Sequence, residues 1–113
     1  MQKNIKIQLV ISSNKIIYSD IENFMIGLKI TNSNSEAAHF DVTKTKLFVN
    51  DIESIAWNLC TQNGTIINLA IPPKNSKTVQ WPLGLSLFET TGEYQLKLKW
   101  DSFVQETKVN VTE

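Results

Sequence analysis

Apolar and polar residues alternate along this chain in short runs, each closed by turn-forming residues, and the cleanest run lies near the end. From Tyr94 onward, Tyr94, Leu96, Leu98 and Trp100 share one face, and Gln95, Lys97 and Lys99 share the other. A period of two predicts a strand with one side in a core and one in water. Gly92 supplies the tight turn before it, because glycine adopts positive φ without a Cβ clash.

The same grammar recurs upstream. Ile5, Ile7, Leu9 and Ile11 alternate with Lys6, Gln8 and Val10, and Ser12-Ser13-Asn14 breaks the run. Ile16, Ile17 and Tyr18 make a short segment that Asp20 stops. Phe24, Ile26, Leu28 and Ile30 mark another strand, and Gly27 within it predicts a bulge or a close backbone approach. Asn32-Ser33-Asn34-Ser35-Glu36 reads as a loop, rich in side chains that bond their own backbone. Phe40 and Val42 open a strand whose pattern weakens over Thr43-Lys44-Thr45-Lys46 and resumes, out of phase, at Leu47, Phe48 and Val49. A phase change of this kind predicts a bulge or a strand crossing from one sheet to another.

Asn50-Asp51 predicts a turn, and Ile55, Trp57 and Leu59 predict the next strand. Gln62-Asn63-Gly64-Thr65 is a hairpin signal, with Ile67, Leu69 and Ile71 returning as the partner strand. Pro72-Pro73 ends that strand, since proline offers no ladder donor. Val79 and Trp81 form a short strand closed by Pro82. The stretch from Leu83 to Phe88 fits a strand, a turn of helix plugging the end of the fold, or, as the favoured reading, irregular structure. Asp101-Ser102 turns the chain into a last strand carrying Phe103, Val109 and Val111. The runs together predict one all-β domain over residues 1–113, a sandwich of about seven to nine mostly antiparallel strands.

Composition narrows the function classes. Hydrophobic residues make up 42% of the chain, enough for a packed core. Eleven basic and eleven acidic side chains give a formal net charge of zero, which argues against nucleic acid, whose phosphates need a basic face. No apolar run reaches membrane-spanning length, so no membrane insertion is expected. The start, Met1-Gln2-Lys3-Asn4, leads directly into a strand without the apolar core of a signal peptide. A cytoplasmic location follows if Met1 is the native start, and an exported or periplasmic one if the sequence has been trimmed.

Reactive chemistry is sparse. His39 is the single histidine, and on a strand it shares a face with Asp41. A nucleophile to complete such a pair would have to be Cys60 or a serine from elsewhere, and no spacing implies one. Cys60, the single cysteine, sits between Leu59 and Thr61 and reads as an inert, sheltered thiol. Asp20 with Glu22 and Asp51 with Glu53 are the pairs with calcium-like spacing, but both lack the density of a dedicated loop. No enzyme activity, metal or cofactor is therefore expected. Asn63-Gly64-Thr65 and Asn110-Val111-Thr112 fit the glycosylation sequon.

The second half has a distinctive word order. It runs Val49-Asn50-Asp51, Ile55-Ala56-Trp57, Leu69-Ala70-Ile71-Pro72-Pro73-Lys74-Asn75-Ser76, Val79-Gln80-Trp81 and Gly92-Glu93-Tyr94-Gln95-Leu96. This resembles the bacterial immunoglobulin-like β-sandwich domains, and among them is most similar to the intracellular proteinase inhibitor type. Leu28-Lys29-Ile30-Thr31-Asn32 matches the apolar strand that precedes these segments in that family. The likeness covers residues 22–112, but Pro72-Pro73-Lys74 stands where the family has Pro-Gly, and no reactive-site loop can be matched. It implies an immunoglobulin-like fold, a tyrosine corner at Tyr94 and, most specifically, proteinase inhibition.

The reading that results is a non-enzymatic module with a protein partner. The loops at 32–39, 50–54 and 83–91 are its candidate recognition surfaces, and Trp81, Leu85, Leu87 and Phe88 are the candidate partner-binding residues. Two alternatives stand beside it. One is a structural immunoglobulin-like module of an exported or cell-surface assembly. The other is a carbohydrate-binding module, which requires a flat exposed row of tryptophan or tyrosine rings.

Overall fold

The computed structural model describes residues 4–62 and 68–113. In chain order the strands are β1 (Ile5–Ile11), β2 (Lys15–Ile17), β3 (Ile26–Asn32), β4 (Ala38–Asp41), β5 (Lys46–Val49), β6 (Ile52–Glu53), β7 (Asn68–Ile71), β8 (Asn75–Trp81), β9 (Gly92–Trp100) and β10 (Phe103–Thr112). The helices are α1 (Ile55–Gln62) and α2 (Gly84–Leu87), and 3₁₀ turns cover Tyr18–Asn23 and Val42–Lys44. The protein is an all-β sandwich. One sheet has the order β1-β3-β8, the facing sheet β2-β10-β9-β5-β6, and β4 pairs with β7 in a small third ladder.

Alternation sets which faces meet. Ile7 and Leu9 of β1, Ile26, Leu28 and Ile30 of β3, and Leu96, Leu98 and Trp100 of β9 all point into one buried cluster. The first apolar runs divide between the sheets: β1 lies antiparallel on β3, and β2, after the Ser12–Asn14 break, lies parallel on β10. The other pairings among the described residues are antiparallel.

Two polar side chains organise the edges of this core. Asn32 is fully buried and donates to the carbonyls of Glu36 (2.9 Å), Ile71 (3.1 Å) and Pro72 (3.3 Å), while its Oδ1 accepts from the backbone N–H of Asn34. The polar loop after β3 is thus wound around one amide. Gln105 stands between Phe103 and Val109 on β10. It faces inward, where its Oε1 accepts from the backbone N–H of Leu9 at 2.8 Å and its Nε2 donates to the Leu9 carbonyl at 3.5 Å.

Gly27 marks a close approach rather than a bulge, since both ladders run through it in unbroken register. A Cβ there would lie 1.7 Å from the Val79 carbonyl oxygen. The phase change between Phe40 and Leu47 is a crossing: β4 pairs with β7, the 3₁₀ turn re-aims the chain, and β5 pairs with β9 in the other sheet. Asp41 caps that turn by accepting from Thr43 N–H at 2.9 Å. The split of this run, together with the two-residue β6, brings the described strands to ten. β8 starts earlier than Val79, at Asn75, because β3 templates its polar half.

Three expectations change. Ile55, Trp57 and Leu59 form no strand; they lie on α1. The Asn63-Gly64 turn lies outside the described residues, and β7 pairs with β4 instead of returning along 55–59. The stretch expected to be irregular before Phe88 contains α2.

Candidate interaction surface

Helix α1 begins because Ser54 caps it: Ser54 Oγ accepts the N–H of Trp57 at 3.1 Å, three residues on. Trp57 then points into the core, fully buried, and Thr61 follows it one turn later on the same side. The indole N–H of Trp57 donates to Thr45 Oγ1 at 3.1 Å, and that hydroxyl donates to the Val42 carbonyl at 2.7 Å. The helix is thereby tied to the crossing point between β4 and β5. With the inner face fixed, Ile55 and Leu59 are forced outward, where they are 72% and 65% exposed. Ile52, in the turn before the helix, is also 72% exposed.

That turn is a tight hairpin. Asn50 and Asp51 both have positive φ, 50° and 67°, as a two-residue type I′ connection needs. Asn50 Oδ1 accepts from Gln95 N–H at 2.9 Å, which pins the turn to β9. Glu53 accepts from Asn58 Nδ2 at 2.7 Å and pairs with Lys46 at 3.5 Å, and these two contacts hold its carboxyl below the usual range. Asp51 faces Lys97 at 3.3 Å, which raises the lysine's pKa.

Across from this hairpin lies the segment around α2. Gly84 packs against the 3₁₀ turn at Tyr18–Asn23 so closely that a Cβ would sit 2.1 Å from the Ile21 carbonyl oxygen. Phe88 is fully buried and packs between Phe24 (centroids 5.1 Å apart) and Tyr94 (4.9 Å). The Tyr94 hydroxyl donates to the Thr90 carbonyl at 2.8 Å, which is the tyrosine corner that the resemblance implied.

Between hairpin and α2 runs an open groove of about 450 Å³. Leu87, Val49 and Tyr94 form its sheltered floor, and Ile52, Ile55 and Glu89 stand on its exposed rim.

Of the residues expected to bind a partner, Leu85 is outward, 57% exposed, whereas Leu87 and Phe88 belong to the core. Trp81 is half-buried and meets Trp57 edge-on at 5.4 Å. Trp57 and Trp100 are buried, so the tryptophans form no exposed row. Ile52 lies in the 50–54 turn named from the sequence as a candidate surface, whereas Ile55 and Leu59 were placed on a strand, although Ser54 as a helix cap was a signal that could have found them.

The candidate chemistry elsewhere is occupied. Asp41 is engaged with Thr43. Cys60 donates to the Trp57 carbonyl at 3.3 Å, and burial pushes its thiol up to about 11. Asp20 accepts from Asn23 at 2.6 Å. Among the described residues, no three His, Cys, Asp or Glu side chains gather where they could hold a metal, and no helix is long and apolar enough to cross a membrane.

No family model matches the sequence, and no curated protein matches it. Solved structures similar to the chain include the β-glucosidase from Listeria innocua in complex with glucose, gluconolactone and isofagomine, with TM-scores of 0.55, 0.53 and 0.54. Identity is 13% in each case, and the match covers 96% of this chain and 16% of the glucosidase chain. At that identity the likeness is one of fold alone.

Proposed function

We propose that this chain is a non-enzymatic, immunoglobulin-like protein-interaction module that docks through the end of the sandwich carrying α1. The observation behind this reading is the outward apolar stripe of Ile52, Ile55 and Leu59. A surface helix normally turns polar residues to water, and contiguous apolar groups on such a face mark a contact surface. The similarity to a segment making up 16% of a much longer chain supports a sandwich of this kind serving as one part of a larger protein.

The test is a pull-down from the source cell with the wild-type chain and with an Ile52→Ser, Ile55→Ser, Leu59→Ser variant, whose fold is checked by circular dichroism. Loss of specific partners from the variant is expected. Retention of the same partners would remove the reading. The sharper version, inhibition of proteinases, draws support from the word order of the second half. Titration against serine, cysteine and metalloproteinases decides it: full proteinase activity at a molar excess of this chain would exclude inhibition and leave the docking proposal intact.

A further inference from the structure

The sign of charge around the groove selects its partner. Glu53 and Glu89 are the charged side chains lining it. A second hollow of about 250 Å³ adjoins it through the shared residues Glu89 and Thr90, and adds Tyr18 and Glu113. Both hollows together present three carboxylates and no lysine. The chain as a whole has a formal charge of zero, so its cations are concentrated elsewhere. Lys46 at 3.5 Å and Asn58 at 2.7 Å already engage the Glu53 carboxylate, so the carboxylates left for an incoming cation are those of Glu89 and Glu113. No ion pair among the described residues engages Glu89 or Glu113.

An anionic lipid surface or a phosphodiester backbone would be repelled by such a rim. A cation flanked by apolar groups would be favoured twice, by the carboxylates and by Ile52, Ile55 and Leu87. The volume, about 450 Å³, suits a few side chains of an extended or helical segment.

We propose that the groove receives a lysine- or arginine-bearing apolar segment of a partner protein, with the apolar side chain against Ile52 and Ile55 and the cation over Glu89. This rests on the docking reading above and adds the chemistry of the occupant. Tyr94, Ser86 and Thr90 supply polar groups beside the seat.

The full chain, isotope-labelled, is titrated by nuclear magnetic resonance with three short Gly-Ser peptides carrying Leu-Lys-Leu, Leu-Glu-Leu or Ser-Lys-Ser at their centres. The Leu-Lys-Leu peptide is expected to move the Ile52 and Ile55 methyl signals and the Thr90 amide, and to bind at least about tenfold tighter than the other two. Glu89→Lys, an exposed change that leaves the core intact, is expected to remove most of that preference. Raising ionic strength from about 0.05 to 0.5 M should weaken it several-fold. Equal binding of Leu-Glu-Leu in the groove overturns the charge assignment while leaving the docking reading standing. Shifts that map away from the groove, or indifference to Glu89→Lys, overturn the proposed seat.

Discussion

The indole nitrogen of Trp57 lies 3.1 Å from the hydroxyl oxygen of Thr45, and both residues are shut away from solvent. This bond joins α1, the longest helix among the described residues, to the point where the chain changes sheets, so the exposed face of α1 is only as well placed as that contact. Thr45→Val keeps the shape but leaves the buried indole N–H without an acceptor. An unfolding free energy lower by about 1–3 kcal/mol is expected in chemical denaturation. Trp57→Ala should cost more, about 3–5 kcal/mol, because it also opens a cavity beside Trp81.

Gly27→Ala is the backbone counterpart. Its new methyl would fall on the Val79 carbonyl oxygen, an atom fixed by the β3–β8 ladder that cannot rotate aside. Relief requires prising β8 from β3. Loss of at least about 3 kcal/mol, or failure to accumulate soluble protein, is the expected outcome.

Tyr94→Phe isolates the corner. The ring stays packed on Phe88, and only the bonds with Thr90 go. A loss of about 1 kcal/mol is expected, together with faster amide exchange at Thr90 and Thr91. Unchanged exchange there would mean that the hydroxyl does not hold the groove wall.

Cys60 gives a pH dependence with a definite sign. Burial raises its thiol from 9.0 to about 11 in the folded chain, so the unfolded chain ionises first. The contribution to stability is complete below about pH 9 and declines as pH climbs toward 11. Alkylation by iodoacetamide at pH 8 should run roughly a hundredfold slower than for an unburied thiol. A Cys60→Ser chain should lose this part of the pH profile.

Much of the fold was legible because alternation is unambiguous over seven or more positions: β1, β3 and β9 stand where their apolar residues put them. Where the apolar run is short, the period fails. Ile55, Trp57 and Leu59 alternate as a strand would, but the outer two are also four apart, one helical turn, and two of three points cannot separate a period of 2 from one of 3.6. Ser54 settles the matter by capping, and the stripe then divides into Trp57 inside and two aliphatic residues outside. For this reason Ile55 and Leu59 were read as strand residues and not as an exposed helix face. Leu87 and Phe88 look exposed in a loop of unknown shape, whereas α2 turns both inward and leaves Leu85 in water. The placement of the acids was illegible for another reason: Glu53, Glu89 and Glu113 are far apart in sequence, and only the fold puts Glu53 with Glu89 on one hollow and Glu89 with Glu113 on the next.

The amide of Gln105 offers the same donor and acceptor as a peptide unit, and it presents both to Leu9 on the outer side of β1. It therefore stands in for a missing neighbour strand, and a foreign chain trying to zip onto that border must first evict it. The opposite border of that sheet, β8, is hydrogen-bonded to β3 alone and carries Lys77 as its deterrent. Within this three-stranded sheet, Gln105→Ala would therefore open the β1 border to strand addition.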